Sequence, residues 1–162
     1  MGYARFGAMI LASTLVMFGL MYLNTWSVDH LAFSQTRAWM ALLMGATMTF
    51  VMMLFMFGMY PNRRANFAIL GGSVLVFAAS LWLVRSQATV GQVAWMQAMI
   101  PHHSIAVLTS ARATLRDPRV RRLADGIIET QLREIAEMQA LVADLQRNPT
   151  PAEAPALPPR TP

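Results

Sequence analysis

AWMALLMGATMTFVMMLFMFGMYPN, residues 38–62, runs between Arg37 and Arg63 without a single charge. A helix needs about 20 consecutive apolar residues to cross the hydrocarbon core of a bilayer. A charge at mid-bilayer costs roughly 2.5–3.5 kcal/mol on insertion scales. This stretch meets both conditions, and the chain holds two more like it. FGAMILASTLVMFGLMYLNTWSV (6–28) lies between Arg5 and Asp29, its apolar part ending near Leu23, and ANFAILGGSVLVFAASLWLV (65–84) lies between Arg64 and Arg85. A cleaved secretory signal is the rival reading of the first stretch. Met21, Tyr22, Leu23 and Asn24 follow its apolar run where a small-residue cleavage site would stand, which favours a retained anchor. The expectation is a three-helix membrane anchor over residues 1–86.

Composition agrees. Apolar residues make up 56% of the chain and charged ones 13%, against roughly 25% charged in a soluble domain. The formal charge of +5 invites a nucleic-acid reading, but its distribution argues against one. Residues 1–85 hold five Arg and one acid, Asp29, while residues 86–162 hold eight Arg and seven acids. A nearly balanced tail has no basic stripe for phosphate, and Arg flanking apolar spans has a membrane explanation. With no Cys, disulfides and thiolate metal sites are excluded. If three spans alternate, Arg5, Arg63 and Arg64 share one face, with Arg37, Arg85, Asp29 and His30 on the other. The positive-inside rule then puts the N-terminus in the cytoplasm and the tail in the periplasm of a bacterial inner membrane.

Behind Arg85 the pattern changes to amphipathic helix. One helical run is predicted over residues 89–116, interrupted by Pro101. A second starts at Asp117-Pro118, an N-cap followed by Pro at the first helical position, and ends near Asn148. Its apolar stripe reads Val120, Leu123, Ala124, Ile127, Ile135, Met138, Val142 and Leu145, with Arg121, Arg122, Asp125, Glu129 and Arg133 on the charged face. Residues 87–148 thus form an antiparallel helical hairpin. NPTPAEAPALPPRTP follows, and residues 149–162 read as a disordered Pro-rich tail. The fold class is all-α.

Chemistry concentrates in WMQAMIPHHS (95–104). Met96, Met99 and His103 fall on one helical face, with His102 about 100° further round. Thioether and imidazole are the neutral, soft set that suits Cu(I), and imidazole also suits Cu(II). The plainer alternative is that the two Met are core and the His pair caps a kinked turn. On the second helix Gln131, Glu134 and Met138 share the apolar stripe. A buried Gln or Glu must be hydrogen-bonded, paired or ligated, so Glu134 is either a metal ligand, an orienting partner of His or part of a structural polar network.

AMIPHHSIAVLTSARA followed by DPRVRRLADGIIETQLREIAEM resembles the bacterial family called domain of unknown function 305. The hallmark is a Met-Ile-Pro-His-His helix and then a helix containing Glu-Ile-x-x-Met, and the likeness covers residues 90–145. FSQTRAWMALLMGA through MFGMYPNRRANF is similar to a membrane-anchored subgroup of that family. The resemblance implies copper, because soluble relatives are periplasmic copper-binding proteins with ferritin-like bundles, of which this hairpin would be half. It also implies that Met96, Met99, His102, His103 and Met138 occupy ligand positions. The chain departs from the family where Leu108 and Thr109 replace an acid and a Met, and Ala111 another acid.

The function expected is a non-enzymatic copper protein that buffers or relays the ion, with the lipid bilayer, copper and a second copy of the chain as partners. In that homodimer Ile127, Ile135 and Met138 would meet the facing hairpin. The alternative is a structural or assembly module whose hairpin binds a partner helix. A di-iron oxidase would need four carboxylates and two Glu-x-x-His pairs, which are missing; phosphate loops and nucleophile elbows are missing too. Met40, Met44, Met48, Met52 and Met56 recur every four residues and are read as adaptable membrane packing rather than a copper ladder. Gly71, Gly72, Ala78, Ala79 and Ser80 are read as close helix-packing positions. His30 would approach the hairpin if the hairpin folds back onto the membrane.

Overall fold

The computed structural model describes residues 2–151 and 153–158. Five helices account for its regular structure: α1 (Tyr3–Leu20), α2 (Gln35–Phe55), α3 (Arg63–Ser86), α4 (Gln92–Arg112) and α5 (Pro118–Arg147). Short 3-10 turns lie at Val28–His30 and Phe57–Met59. Three of the helices, α1 to α3, are long and apolar enough to cross a membrane. Polar side chains set the starts. Ser34 Oγ accepts from the Arg37 amide, Asn62 Oδ1 from the Ala65 amide, and Asp117 Oδ1 from the Arg119 amide, each satisfying a donor with no intrahelical partner. The Arg119 side chain also hydrogen-bonds Asp117 and holds its carboxyl below the usual range.

α2 is the central helix, packed against α1, α3 and part of α4. At one end of the bundle Phe6, Met53, Tyr60 and Leu70 form a buried cluster, with Tyr3, Phe50 and Phe57 packed around it. Asn66 lies wholly buried beside this cluster. Its Nδ2 donates to the carbonyls of Phe57 (3.1 Å) and Tyr60 (3.3 Å), and its Oδ1 accepts from the Tyr3 hydroxyl at 2.8 Å. One side chain thus closes the α2–α3 corner and ties α1 to it.

The close-packing positions differ from those expected. A Cβ added at Gly71 or Gly72 would meet nothing within 4 Å, and Ala78 and Ala79 face outward, while Ser80 is buried. The intimate approach is at Gly45 on α2, where a Cβ would lie 2.5 Å from Thr14 Oγ1 on α1. The α3 face turned to the bundle is Asn66, Leu70, Ser73 and Ser80. Of the methionines on α2, Met53, outside the four-residue series, is the buried one; Met44, Met48, Met52 and Met56 are half-buried.

α4 and α5 run antiparallel, with Gln92 bonded to Thr150 at one end and Arg121 to the Ser110 carbonyl at the other. α4 continues through Pro101 instead of breaking there. Their core is Met96, Ile100, Ile135 and Met138, flanked by Val93, Met99, Val142 and Leu145. Positions that turn inward on α5 alternate at three and four residues: Arg121, Ala124, Ile128, Gln131, Ile135, Met138, Val142 and Leu145. That is the seam of a coiled coil. At its start it is rotated from the stripe read in the sequence, since Val120 and Leu123 are 46% and 66% exposed and Arg121 turns in toward α4. Ile135 and Met138 are covered by α4 of the same chain and so are not available to a second hairpin. Residues 149–151 and 153–158 contain no helix or strand; the rest of the tail expected to be disordered, 152 and 159–162, lies outside the described residues.

Candidate metal centre

The same three-four alternation on α4 runs Val93, Met96, Ile100, His103, Val107 and Ser110. His103 therefore stands at a seam position and points at α5, while His102, one residue earlier, is carried about 100° away. The two rings are 6.0 Å apart, centroid to centroid, and they serve different surroundings. His102 is exposed and His103 is largely covered.

His103 is held at both nitrogens. Nδ1 lies 3.0 Å from the Met99 carbonyl one turn back, and Nε2 lies 2.9 Å from Glu134 Oε2 across the seam. A carbonyl and a carboxylate are both acceptors, so both contacts are hydrogen bonds only when each ring nitrogen carries a proton. Anchoring Nδ1–H on a backbone carbonyl is also how a metal-binding imidazole is oriented, leaving Nε2 as the ligand. A cation can take the place of the Nε2 proton and find the carboxylate oxygen beside it. Glu134, expected inside the apolar stripe, instead has a side chain 41% exposed and pairs with His103 from the edge of the seam.

Of the other expected ligands, Met96 and Met138 meet inside the α4–α5 core and Met99 packs against it. His102 does not join them, but lines a groove between α4 and the membrane helices. Among the described residues no three His, Asp or Glu side chains gather as a metal cage. The nitrogen and oxygen donors brought together across the seam are His103 Nε2 and Glu134 Oε2. Imidazole beside a carboxylate suits several divalent transition metals, copper among them.

Sequence reasoning missed Ser104, which is wholly buried. Its Oγ accepts from the Trp26 amide at 2.7 Å and lies 2.9 Å from His30 Nδ1. Gln139 Nε2 donates to the Asp29 carbonyl at 3.1 Å. The loop between α1 and α2 is thereby clamped onto both hairpin helices, so the expected approach of His30 is realised, but toward Ser104. The available signal was a serine on the apolar side of α4, next to His103.

Residues 92–159 match the family described as "Domain of unknown function (DUF305)". That segment is α4, α5 and the start of the tail, and the expected family is supported there. The chain is also 33% identical over 72 residues to "Uncharacterized protein L153" of Acanthamoeba polyphaga mimivirus, a stretch covering 43% of this chain. The chain spans about half the length of that curated relative, 47%. No solved structure matches.

Proposed function

We propose that this chain is an integral membrane protein of a bacterial inner membrane that binds copper on its DUF305 hairpin, as a buffer or relay rather than an enzyme. The observation that carries the reading is His103, whose Nδ1 is fixed by the Met99 carbonyl and whose Nε2 faces Glu134 Oε2. Met96 and Met138 stand in the adjoining hairpin core, and a second chain adds donors in a homodimer. Val120 and Leu123, left open on α5, are where a facing hairpin would be covered. Copper must displace the Nε2 proton, so retention falls as pH falls.

Glu134→Gln is expected to weaken Cu(II) retention by the detergent-solubilised protein about 10- to 100-fold, the usual cost of losing a ligand's partner; His103→Ala abolishes it. A structural hairpin that merely uses the pair to join its helices predicts the reverse: copper uptake equal to wild type and a lower melting temperature in both variants.

The bonds of Tyr3 to Asn62 and Asn66 bring Arg5, Arg63 and Arg64 to one end of the bundle, which supports a cytoplasmic N-terminus. The hairpin sits at the other end. With the Arg-rich end in the cytoplasm, a reporter fused after Asn148 is active only in the periplasm; activity of that fusion in the cytoplasm would reverse the topology.

A further inference from the structure

Four soft donors lie along one groove of about 510 Å³ where α4 meets the ends of the apolar helices. Met21 comes from the end of α1, Met40 from α2, and Met99 and His102 from α4. Met99 and His102 are three apart on a helix and so share a face. Met21 is positioned by Arg37, whose Nη1 donates to the Met21 carbonyl at 2.7 Å. Met40 stands one turn beyond Arg37 on the same helix.

We infer that this groove is a second, Cu(I)-selective site, with Met21, Met40, Met99 and His102 as its ligands. Its chemistry differs from that of the seam. Three thioethers and one neutral imidazole suit Cu(I) and give little to Cu(II), whereas the imidazole and carboxylate of His103 and Glu134 suit Cu(II). No carboxylate lines the groove, and its one charged group is Arg37. That guanidinium is fixed, bonded to the Met21 carbonyl and lying 4.5 Å over the Tyr22 ring. A fixed positive charge repels a divalent ion twice as strongly as a monovalent one at equal distance, so Arg37 adds to the preference for Cu(I). The site joins membrane helices to hairpin, so the ion would itself bridge the two.

The inference rests on the proposal that the chain binds copper, but the two separate by oxidation state. Full-length protein in mild detergent is titrated with Cu(I) against a competing chelator, with Ag(I) as a redox-inert check, and separately with Cu(II) followed by electron paramagnetic resonance. Met21→Leu with Met40→Leu preserves volume and apolarity. It is expected to lower Cu(I) and Ag(I) affinity at least tenfold and to leave the Cu(II) signal as in wild type. Cu(I) affinity equal to wild type in that double variant overturns the groove site, including the case in which the groove only holds lipid. Loss of Cu(I) and Cu(II) together, with the fold intact by circular dichroism, overturns it as a separate site. An unchanged Cu(II) signal in His103→Ala counts instead against the seam reading.

Discussion

Ile135→Ala unfolds the α4–α5 hairpin while leaving the three apolar helices assembled. Ile135 is 2% exposed and packs with Met96, Ile100 and Met138. Removing its outer carbons loses their burial and leaves a cavity, a cost of about 2–5 kcal/mol. A pair of helices this short has little in reserve, since cores in units below about 70 residues rarely supply more than about 3–5 kcal/mol. The Ser104 and Gln139 bonds to the loop between α1 and α2 are too few to compensate. Limited proteolysis reads the outcome: cleavage appears at the 113–117 connection and along α4. Leu141→Ala, at a position 46% exposed, is the control and stays resistant. Equal resistance of both variants would mean that the seam is misplaced.

Asn66→Leu carries the second large effect, in the membrane bundle. The substitution removes the donor to the Phe57 and Tyr60 carbonyls and the acceptor for the Tyr3 hydroxyl. Each polar group left buried without a partner costs about 1–3 kcal/mol, and Asn66 is wholly buried. A loss of about 3 kcal/mol or more is expected, read as a lower melting temperature of the solubilised protein. Tyr3→Phe removes one of the three bonds and should cost about 1 kcal/mol. A melting temperature unchanged by Asn66→Leu contradicts the corner described here.

The three apolar helices were legible because charges bound each span, and the start of α5 because Asp-Pro has few other uses. The faces were less so. On α3 the inward face carries Asn66, Ser73 and Ser80 at seven-residue spacing, a polar signal that the reading used only at Ser80, while a Cβ at Gly71 or Gly72 meets nothing. On α5 the expected stripe included Val120 and Leu123 because they are apolar. The seam takes Arg121 instead, whose Nη2 bonds the last turn of α4. Of the site, Glu134 was read as buried and in need of a partner; it pairs with His103 although its side chain is 41% exposed, so burial is not what makes the pair. The divergence of His102 from His103 follows from 100° per residue, but the groove that receives His102 depends on how the hairpin leans on α2. That lean is fixed by Ser104 and the Trp26–His30 loop, contacts between residues more than 70 apart in sequence, which no local pattern encodes.

Native mass spectrometry of the intact chain, solubilised in mild detergent, exposed to copper and passed through gel filtration, tests the central claim most directly. Cu(II) that stays with the protein, and is lost when His103→Ala is treated in the same way, is the predicted result. A wild-type chain that emerges folded and free of copper would contradict it.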